Sequence, residues 1–526
     1  MAVGDWGYRQ ARWPEPLVFE LDTPGRRGFI PPKPPGEVVE EVGPLRVPEA
    51  VARRRPPALP RLSEVEVARH YTRLSQMSYG VDSGPVPLGS CTMKYNPRVA
   101  ARYAFEPRLQ LVHPLQPDED VQGLLEMAWS LQEWLKEILG MDACTLHPAA
   151  GAQGELTGVL VIRRYHEIRG ELERRTTIIV PDSAHGTNPA SASMGGFRVL
   201  EVPTAPDGNV DMEALRAAVG PDTAGLMLTN PSTLGLFEEH ILEIAELVHG
   251  VGGLLYYDGA NINGIMGHAR PGDMGFDIAH VNLHKTFSSP HGGGGPGSGP
   301  VCVRDRPVTP DGSVRLSDLL PGPIVVREGG EYRLKWPGPH SVGLVRAWQW
   351  NTAPVIWAYT YILALGARGL RVAGETSVLN TNYFLALMRG SRGYSLPYAP
   401  GRPRKHEAVL SAEPLKDETG ATAEDVAKGL LDRGFYAPTI YFPLIVHEAL
   451  MVEFTESETR ENIEAYARAL REIEEAARRD PQEPKRWPRN TSAARVDNVR
   501  ANHPKTVTPT WRVYRLRREG RIGPLR

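Results

Sequence analysis

Lys285 follows a short apolar run, IAHVNLH, and precedes a glycine-rich loop at 292–299, GGGGPGSG. Ten of the chain's 60 basic residues are lysine and the rest arginine, so a lysine at the mouth of an expected strand stands out. Such a lysine can lose its proton when partly buried, attack an aldehyde and form a Schiff base; arginine in practice cannot. Other apolar runs end in polar residues too. TTIIVP leads to His185, AGLMLTN ends on Thr229 and Asn230, and GGLLYYDGAN carries Asp258. Together these residues point to pyridoxal phosphate. Its pyridine nitrogen must stay protonated for the ring to act as an electron sink, and a carboxylate such as Asp258 beside it raises its pKa. His185 could stack on the ring face and move protons. Thr229 or Asn230 could bond the phenolic oxygen. Ala260 and His284, flanking Asp258 and Lys285, complete this group of contacts.

The phosphate of such a cofactor needs backbone N–H groups at a helix N-terminus. The segment HPAAGAQGELTGVLVIRRY at 147–165 has small residues running into a helical pattern, and Gly151, Ala152 and Gln153 are its cradle. The loop at 292–299 lacks the Gly-Lys-Ser/Thr ending of a nucleotide P-loop, which excludes that use. Its glycines would allow close approach of the cofactor or of a neighbouring chain. Taken singly, most of these residues also suit plain roles: Asp258 a turn, His185 a loop histidine, Asn230 a turn before Pro231. Their coincidence at successive strand ends carries the reading, because ligands of open α/β sheets gather beyond the carboxyl ends of the strands.

The elements that must hold these residues are legible as an alternation. Apolar runs at 176–181, 196–203, 224–230, 252–260, 277–284 and 299–304 are interleaved with helical patterns such as MEALRAAV and HILEIAELVHG. That texture predicts an α/β fold with a mainly parallel sheet covered on both faces. The expected organisation is an extended proline- and arginine-rich arm over 1–62, a large domain with a helical lead-in over 63–368, a smaller C-terminal α+β domain over 369–480, and a charged tail over 481–526. Ser63 and Glu66 form a capping-box pattern, and a long helix is expected from Val121 to Leu139, closed by Gly140.

Composition narrows the class. A chain of 526 residues with 41% hydrophobic and 23% charged residues is an ordinary globular protein of two or more domains. A formal net charge of −2 gives no basic field for nucleic acid. Cys91, Cys144 and Cys302 lie far apart, so neither a metal spacing nor a disulfide framework is expected. That pattern and the lack of a signal-peptide pattern suit the cytoplasm. The longest mainly apolar run, Ala353 to Leu365, is short of the roughly 20 residues that span a bilayer and reads as a buried helix.

Several longer blocks carry a family resemblance: PLGSCTMKYNP, HPAAGAQGELTG, PDSAHGTNPASA, YYDGANING, NLHKTFSSPHGGGGPGSGP and YFPLIVHEALMVEFTESET. With them nearly the whole chain resembles the P-proteins of the glycine cleavage system, in their two-subunit form and as the second, cofactor-carrying subunit. The resemblance implies the pyridoxal-phosphate-dependent transferase fold type I, aspartate-aminotransferase-like. It implies decarboxylation of glycine with transfer of the aminomethyl group to the lipoyl arm of an H-protein. It also implies a partner subunit 1 in an α2β2 assembly, since the single-chain form has an additional N-terminal half. The modified lysine of the family maps onto Lys285, the ring-stacking histidine onto His185 and the pyridinium partner onto Asp258. The residues that hold glycine's carboxylate are not evident; Ser90, Cys91 and Thr92, small and polar in the 85–97 loop, are candidates, with packing against subunit 1 as the other role for that loop. The stretch 346–362, RWPRN at 486–490 and the end after Pro509 depart from the family pattern. Two other readings are kept: a different fold-type-I enzyme, such as an amino-acid decarboxylase or cysteine desulfurase, and a scaffold subunit with a dead site. A substrate screen separates the first, and a yellow colour on purification the second.

Overall fold

The computed structural model describes residues 7–521 apart from 27, 29, 45, 46, 56, 58, 293–296 and 504–510. Contacts divide the chain into two units, one built on Val81–Trp487 and the other on Tyr8–Gly80 with Pro488–Arg526.

The first unit holds a seven-stranded sheet. Its strands are β1 (Ala143–Thr145), β2 (Thr177–Pro181), β3 (Arg198–Val202), β4 (Thr223–Thr229), β5 (Leu254–Gly259), β6 (Ile278–Val281) and β7 (Val301–Val303), in the order β1-β7-β6-β5-β4-β2-β3. All neighbours are parallel except those of β7, which runs against both β6 and β1. The parallel strands β2, β4, β5 and β6 are buried along their whole length. Alternate side chains enter two cores. Leu226, Leu228, Leu255, Tyr257, Ala279 and Val281 join one. Met227, Leu254, Tyr256 and Ile278 join the other, against the helix Gly151–Ile168. A two-faced apolar strand is what a parallel sheet under helices requires.

The expected helix before the sheet forms over Gln122–Leu139, and Gly140 closes it in the left-handed conformation, φ 66°. The expected buried helix begins at Thr352 and extends further than its apolar run, to Met388. Gly366, at φ 60° and ψ −179°, breaks it into two segments. A hairpin, β8 (Ile324–Glu328) and β9 (Glu331–Lys335), turns on Gly329 and Gly330, both at positive φ.

Beyond the long helix lies a three-stranded antiparallel sheet, β10 (Glu407–Ser411), β11 (Thr439–Ile440) and β12 (Ala449–Glu453), in the order β10-β12-β11. The helices Ala423–Asp432 and Arg460–Arg479 cover it around a separate core that includes Leu450, Phe454 and Tyr466.

The second unit contains the helix Glu64–Gln76, whose Ser63–Glu66 capping box forms as the spacing predicts. The arm is not wholly extended: short helices occupy Val18–Leu21 and Gly36–Val42. The tail carries a helix at Trp511–Arg518, and Trp511 stacks on Phe19 at 4.9 Å.

One expectation is corrected. Cys144 and Cys302 form a disulfide. They face each other across the antiparallel β1–β7 pair, with Cα atoms 4.0 Å apart and 158 residues between them in sequence. A pairing set by strand register leaves no spacing signature. Cys91 is the free thiol.

Candidate active site

The sheet register sets out the site. Thr229 pairs with Asp258, and Asp258 pairs with His280, so the ends of β4, β5 and β6 present three polar side chains in a row on one face. That face also carries Met227, Tyr256 and Ile278. Asp258 is 1% exposed. It accepts hydrogen bonds from the Ala260 N–H at 3.0 Å and the Asn188 amide at 3.1 Å, and His280 Nε2 lies 3.5 Å from it. Burial pushes its pKa up, but His280, Lys285, the Ala260 N–H and His185 together outweigh burial and hold the group below its usual value. The result is a buried carboxylate kept ionised. His280 is oriented in turn by Tyr256, whose hydroxyl lies 2.6 Å from Nδ1.

Lys285 lies in the turn after β6, where its N–H donates to the Asn282 carbonyl at 3.1 Å. Its ammonium acts on Asp258, His185, Glu155, Glu407 and Cys91. Among the described residues none is bonded to its Nζ. His185 is half-buried, with its Nδ1 2.9 Å from the Thr187 hydroxyl and its ring edge-on to Phe442 at 5.3 Å. Burial lowers its pKa, so the imidazole is neutral near pH 7. His284 is also half-buried, and burial together with Lys285 lowers it to about 3.

The candidate residues do not all have free side chains. The Thr229 hydroxyl is buried without a partner. Asn230 is occupied: its Oδ1 accepts the Glu238 N–H at 3.0 Å and its amide faces Met274. Gly151, Ala152 and Gln153 form the first turn of the helix Gly151–Ile168, whose N-cap Ala150 offers no side-chain cap. The Gln153 amide closes that end itself, accepting from Ala149 N–H at 2.6 Å and donating to the Val345 carbonyl at 2.7 Å. Its side-chain amide is thus engaged at both the oxygen and the nitrogen, and its backbone N–H stays open for a ligand. A Cβ at Gly299 would run into the Ala150 carbonyl, so that glycine is required by close approach of backbone, while one at Gly151 would have to displace the Asn282 side-chain amide. Residues 293–296 of the glycine-rich loop lie outside the described residues.

The 85–97 loop enters the same region. Ser90 and Thr92 hold positive φ, 65° and 44°, on either side of Cys91. Two carboxylates tie this unfavourable backbone down. Glu407 accepts the Ser90 N–H at 2.8 Å and Glu453 the Thr92 N–H at 2.9 Å. The two acids face each other across β10 and β12 and are almost fully buried. Burial raises Glu407 to about 7; burial, helped by Glu407, raises Glu453 to about 8. With His406 their donor atoms lie within 4.8 Å of one another. The ammoniums of Lys94 and Lys285 act on His406 as well, so the local field opposes a cation.

An acid whose folded pKa is raised is stabilised in its protonated form. This contribution is complete below the ordinary carboxyl value of 4.5 and is lost as pH rises through about 7 to 8. Denaturation midpoints of the protein without cofactor should therefore fall over that range. Glu453→Gln should flatten the fall, and an unchanged slope would contradict the assignment.

Sequence reasoning missed Lys94 in this loop. Its Nζ donates to Glu456 at 2.8 Å, the Thr286 carbonyl at 2.9 Å and Asn263 at 3.1 Å, with the Tyr361 hydroxyl at 3.4 Å. An ammonium has three protons, and these partners use them all. Lys94 is thus a structural clamp beside Thr286, whereas Lys285 Nζ has no bonded partner among the described residues. Lys94→Met would strand Glu456 and should cost about 3–5 kcal/mol in chemical denaturation, since breaking a buried pair leaves an uncompensated charge. A loss under about 1 kcal/mol would mean that the pair is well solvated. His280, Glu407, Glu453 and Glu155 were also missed. A histidine inside the apolar run of β6 and charged residues at strand ends were the available signals.

A family model described as "Glycine dehydrogenase, C-terminal domain" matches residues 373–493. Full-length relatives share the name "Probable glycine dehydrogenase (decarboxylating) subunit 2". The Aeropyrum pernix protein is 73% identical, with 99% of this chain and 100% of the relative aligned. The Staphylothermus marinus protein is 64% identical, over 96% and 98%. The Pyrococcus horikoshii protein is 55% identical, over 98% and 99%. Among solved structures, an inhibitor-bound glycine decarboxylase (P-protein) of the glycine cleavage system superposes with a TM-score of 0.68 at 21% identity, covering 83% of this chain and 97% of that one. A NifS-like protein gives 0.55 at 16%, over 74% and 98%. These two likenesses bear on the fold, which is the fold type I expected from the sequence. Among the described residues no helix is long and apolar enough to cross a membrane.

Proposed function

Because the chain belongs to the glycine dehydrogenase (decarboxylating) subunit 2 family, we propose that it binds pyridoxal phosphate through Lys285, decarboxylates glycine, and passes the aminomethyl group to the lipoyl arm of an H-protein. The observation that carries this reading is the pairing of a free Lys285 amine with an ionised, buried Asp258 at adjoining strand ends. The donor set fits the cofactor. Thr229 Oγ1 and Ser298 Oγ are buried without partners, and the helix at Gly151 opens with unshared backbone N–H groups. Asp258 would face the ring nitrogen, His185 the ring plane, and Thr229 rather than Asn230 the phenolic oxygen. Ala260 and His284 border them, and Gly151, Ala152 and the Gln153 N–H would receive the phosphate.

When bound, the cofactor supplies an electron sink for the electrons released as CO2 departs. The chain's part is orientation and charge. Asp258 keeps its negative charge because His280, Lys285, the Ala260 N–H and His185 together outweigh burial, so a proton on a facing nitrogen is stabilised. Lys94 fixes Thr286, next to Lys285. Glu407 and Glu453 hold Ser90 and Thr92, on either side of Cys91, and these three residues are the proposed neighbours of the substrate carboxylate. Holding that carboxylate perpendicular to the ring selects C–C over C–H cleavage.

We place the working enzyme in the cytoplasm, in an α2β2 assembly with subunit 1. The shared name of the relatives, subunit 2, supports a partner subunit. So do the exposed apolar side chains of Val99, Tyr103, Phe105, Leu111 and Leu115, which follow the loop of the site. The test is exchange of labelled bicarbonate into glycine with lipoylated H-protein. The chain with subunit 1 should be active and the chain alone at least about tenfold weaker, by the effective-molarity logic of site assembly. Full activity of the isolated chain would remove the need for a partner.

A further inference from the structure

His185 is backed by a short chain of polar groups that no step above uses. Its Nδ1 lies 2.9 Å from the Thr187 hydroxyl, and that hydroxyl lies 2.9 Å from Glu155 Oε1. Glu155 is 5% exposed and sits in the first turns of the helix Gly151–Ile168. Its second oxygen, Oε2, is buried with no partner. A third contact decides the direction of the protons. The backbone N–H of Thr187 points at the same His185 Nδ1, at 3.4 Å. A backbone N–H can only donate, so Nδ1 must carry the lone pair. The Thr187 hydroxyl then also donates to Nδ1, and its oxygen is left to accept. The remaining neighbour of that oxygen is Glu155, which can donate only as the protonated acid.

We propose that Glu155 is a positioning residue: held as the neutral acid and acting through the Thr187 hydroxyl, it fixes His185 as the imidazole with its proton on Nε2. His185 thereby presents an N–H donor on the side away from Thr187. This use of the donor rests on the reading of His185 as the group over the cofactor ring; the hydrogen-bond logic does not.

The surroundings agree. Glu155 faces Asp258 and Tyr256 of β5 and feels Lys285. Burial, and then the negative charge of Asp258, raise its pKa to about 8, against the smaller opposing effects of the Thr187 hydrogen bond and of Lys285. His185 faces Asp258, Lys285, His280 and the Phe442 ring. When Glu155 ionises, it releases one proton to solvent. The Thr187 hydroxyl then turns to donate to Glu155 Oε1, and the neutral imidazole shifts its proton from Nε2 to Nδ1. The long 3.4 Å contact from the Thr187 backbone N–H to Nδ1 is given up in that shift.

The test is the tautomer itself, read by long-range 1H–15N NMR on the full chain with 15N-labelled histidine and no added cofactor. The native chain should show His185 protonated on Nε2 at neutral pH and change toward Nδ1 as pH passes about 8. Thr187→Ser should keep both features. Glu155→Gln, whose amide donates at every pH, should keep the Nε2 form and lose the transition. Thr187→Val, which removes the linking hydroxyl, should lose the transition near pH 8 whichever residue stands at 155. An Nδ1 proton in the native chain at neutral pH, or a transition that persists in Glu155→Gln, would overturn the proposal. Because no cofactor is present, this outcome is separate from whether the chain decarboxylates glycine. In the assembled enzyme, the same relay should appear as a high-pH limb of the exchange rate that Glu155→Gln displaces and Thr187→Ser retains.

Discussion

Replacing Lys285 by alanine is expected to abolish the absorbance band of the lysine-bound cofactor and to lower glycine exchange roughly 10^3- to 10^6-fold, the range for loss of a covalent catalytic group. The reason is local. Two lysines, Lys94 and Lys285, lie close together in the site, and they differ in their partners. Lys94 spends its three protons on Glu456, Thr286 and Asn263. Lys285 is half-buried beside Asp258, with nothing described bonded to its Nζ. An amine whose protons are all hydrogen-bonded makes a poor nucleophile; one without a bonded partner is open to an aldehyde. The same measurement on Lys94→Met should leave the band in place in whatever fraction folds. A band retained by Lys285→Ala and lost by Lys94→Met would exchange the two assignments.

The second large effect is at Asp258. Its carboxylate accepts from Ala260 and Asn188, and His280 stands behind it. Asp258→Asn removes the charge while leaving the side chain's shape. Losing an opposite charge at contact lowers a partner's pKa by about 1–3 units, so turnover should fall roughly 10- to 10^3-fold as the ring nitrogen loses its proton. Cofactor binding through Lys285 should persist, and the absorbance band of the bound form should shift with pH. Near-native decarboxylation by Asp258→Asn would show that the ring nitrogen does not depend on this group. His280→Phe should act in the same direction and more weakly, because it removes the imidazole that stands 3.5 Å from Asp258 and helps to keep it ionised.

What could be read from the chain followed from periodicity and from chemistry local in sequence. The buried strands β2, β4, β5 and β6 announce themselves as unbroken apolar runs, because a parallel sheet under helices has no wet face. Asp258 and Lys285 were visible because each ends such a run. What could not be read depended on contacts distant along the chain. Ser90 meets Glu407 across 317 residues and Thr92 meets Glu453 across 361, so the loop's role as a tethered wall had no local sign. The Cys144–Cys302 pairing belongs to strand register and contradicted the expectation drawn from spacing. Thr229 and Asn230 were indistinguishable as neighbours, and the alternation of the strand separates them: Thr229 shares a face with Asp258, while Asn230 turns to Glu238. Rarity of lysine, which drew attention to Lys285, applied equally to Lys94; burial and hydrogen-bond count, not scarcity, tell them apart.

The most direct test combines spectroscopy with chemistry. The purified chain, supplied with pyridoxal phosphate, should show a visible absorbance band that borohydride bleaches, and peptide mapping of the reduced protein should find the cofactor on Lys285. Reduction that leaves the label on Lys94, on another lysine or on none would contradict the central claim that the free amine beside Asp258 holds the cofactor.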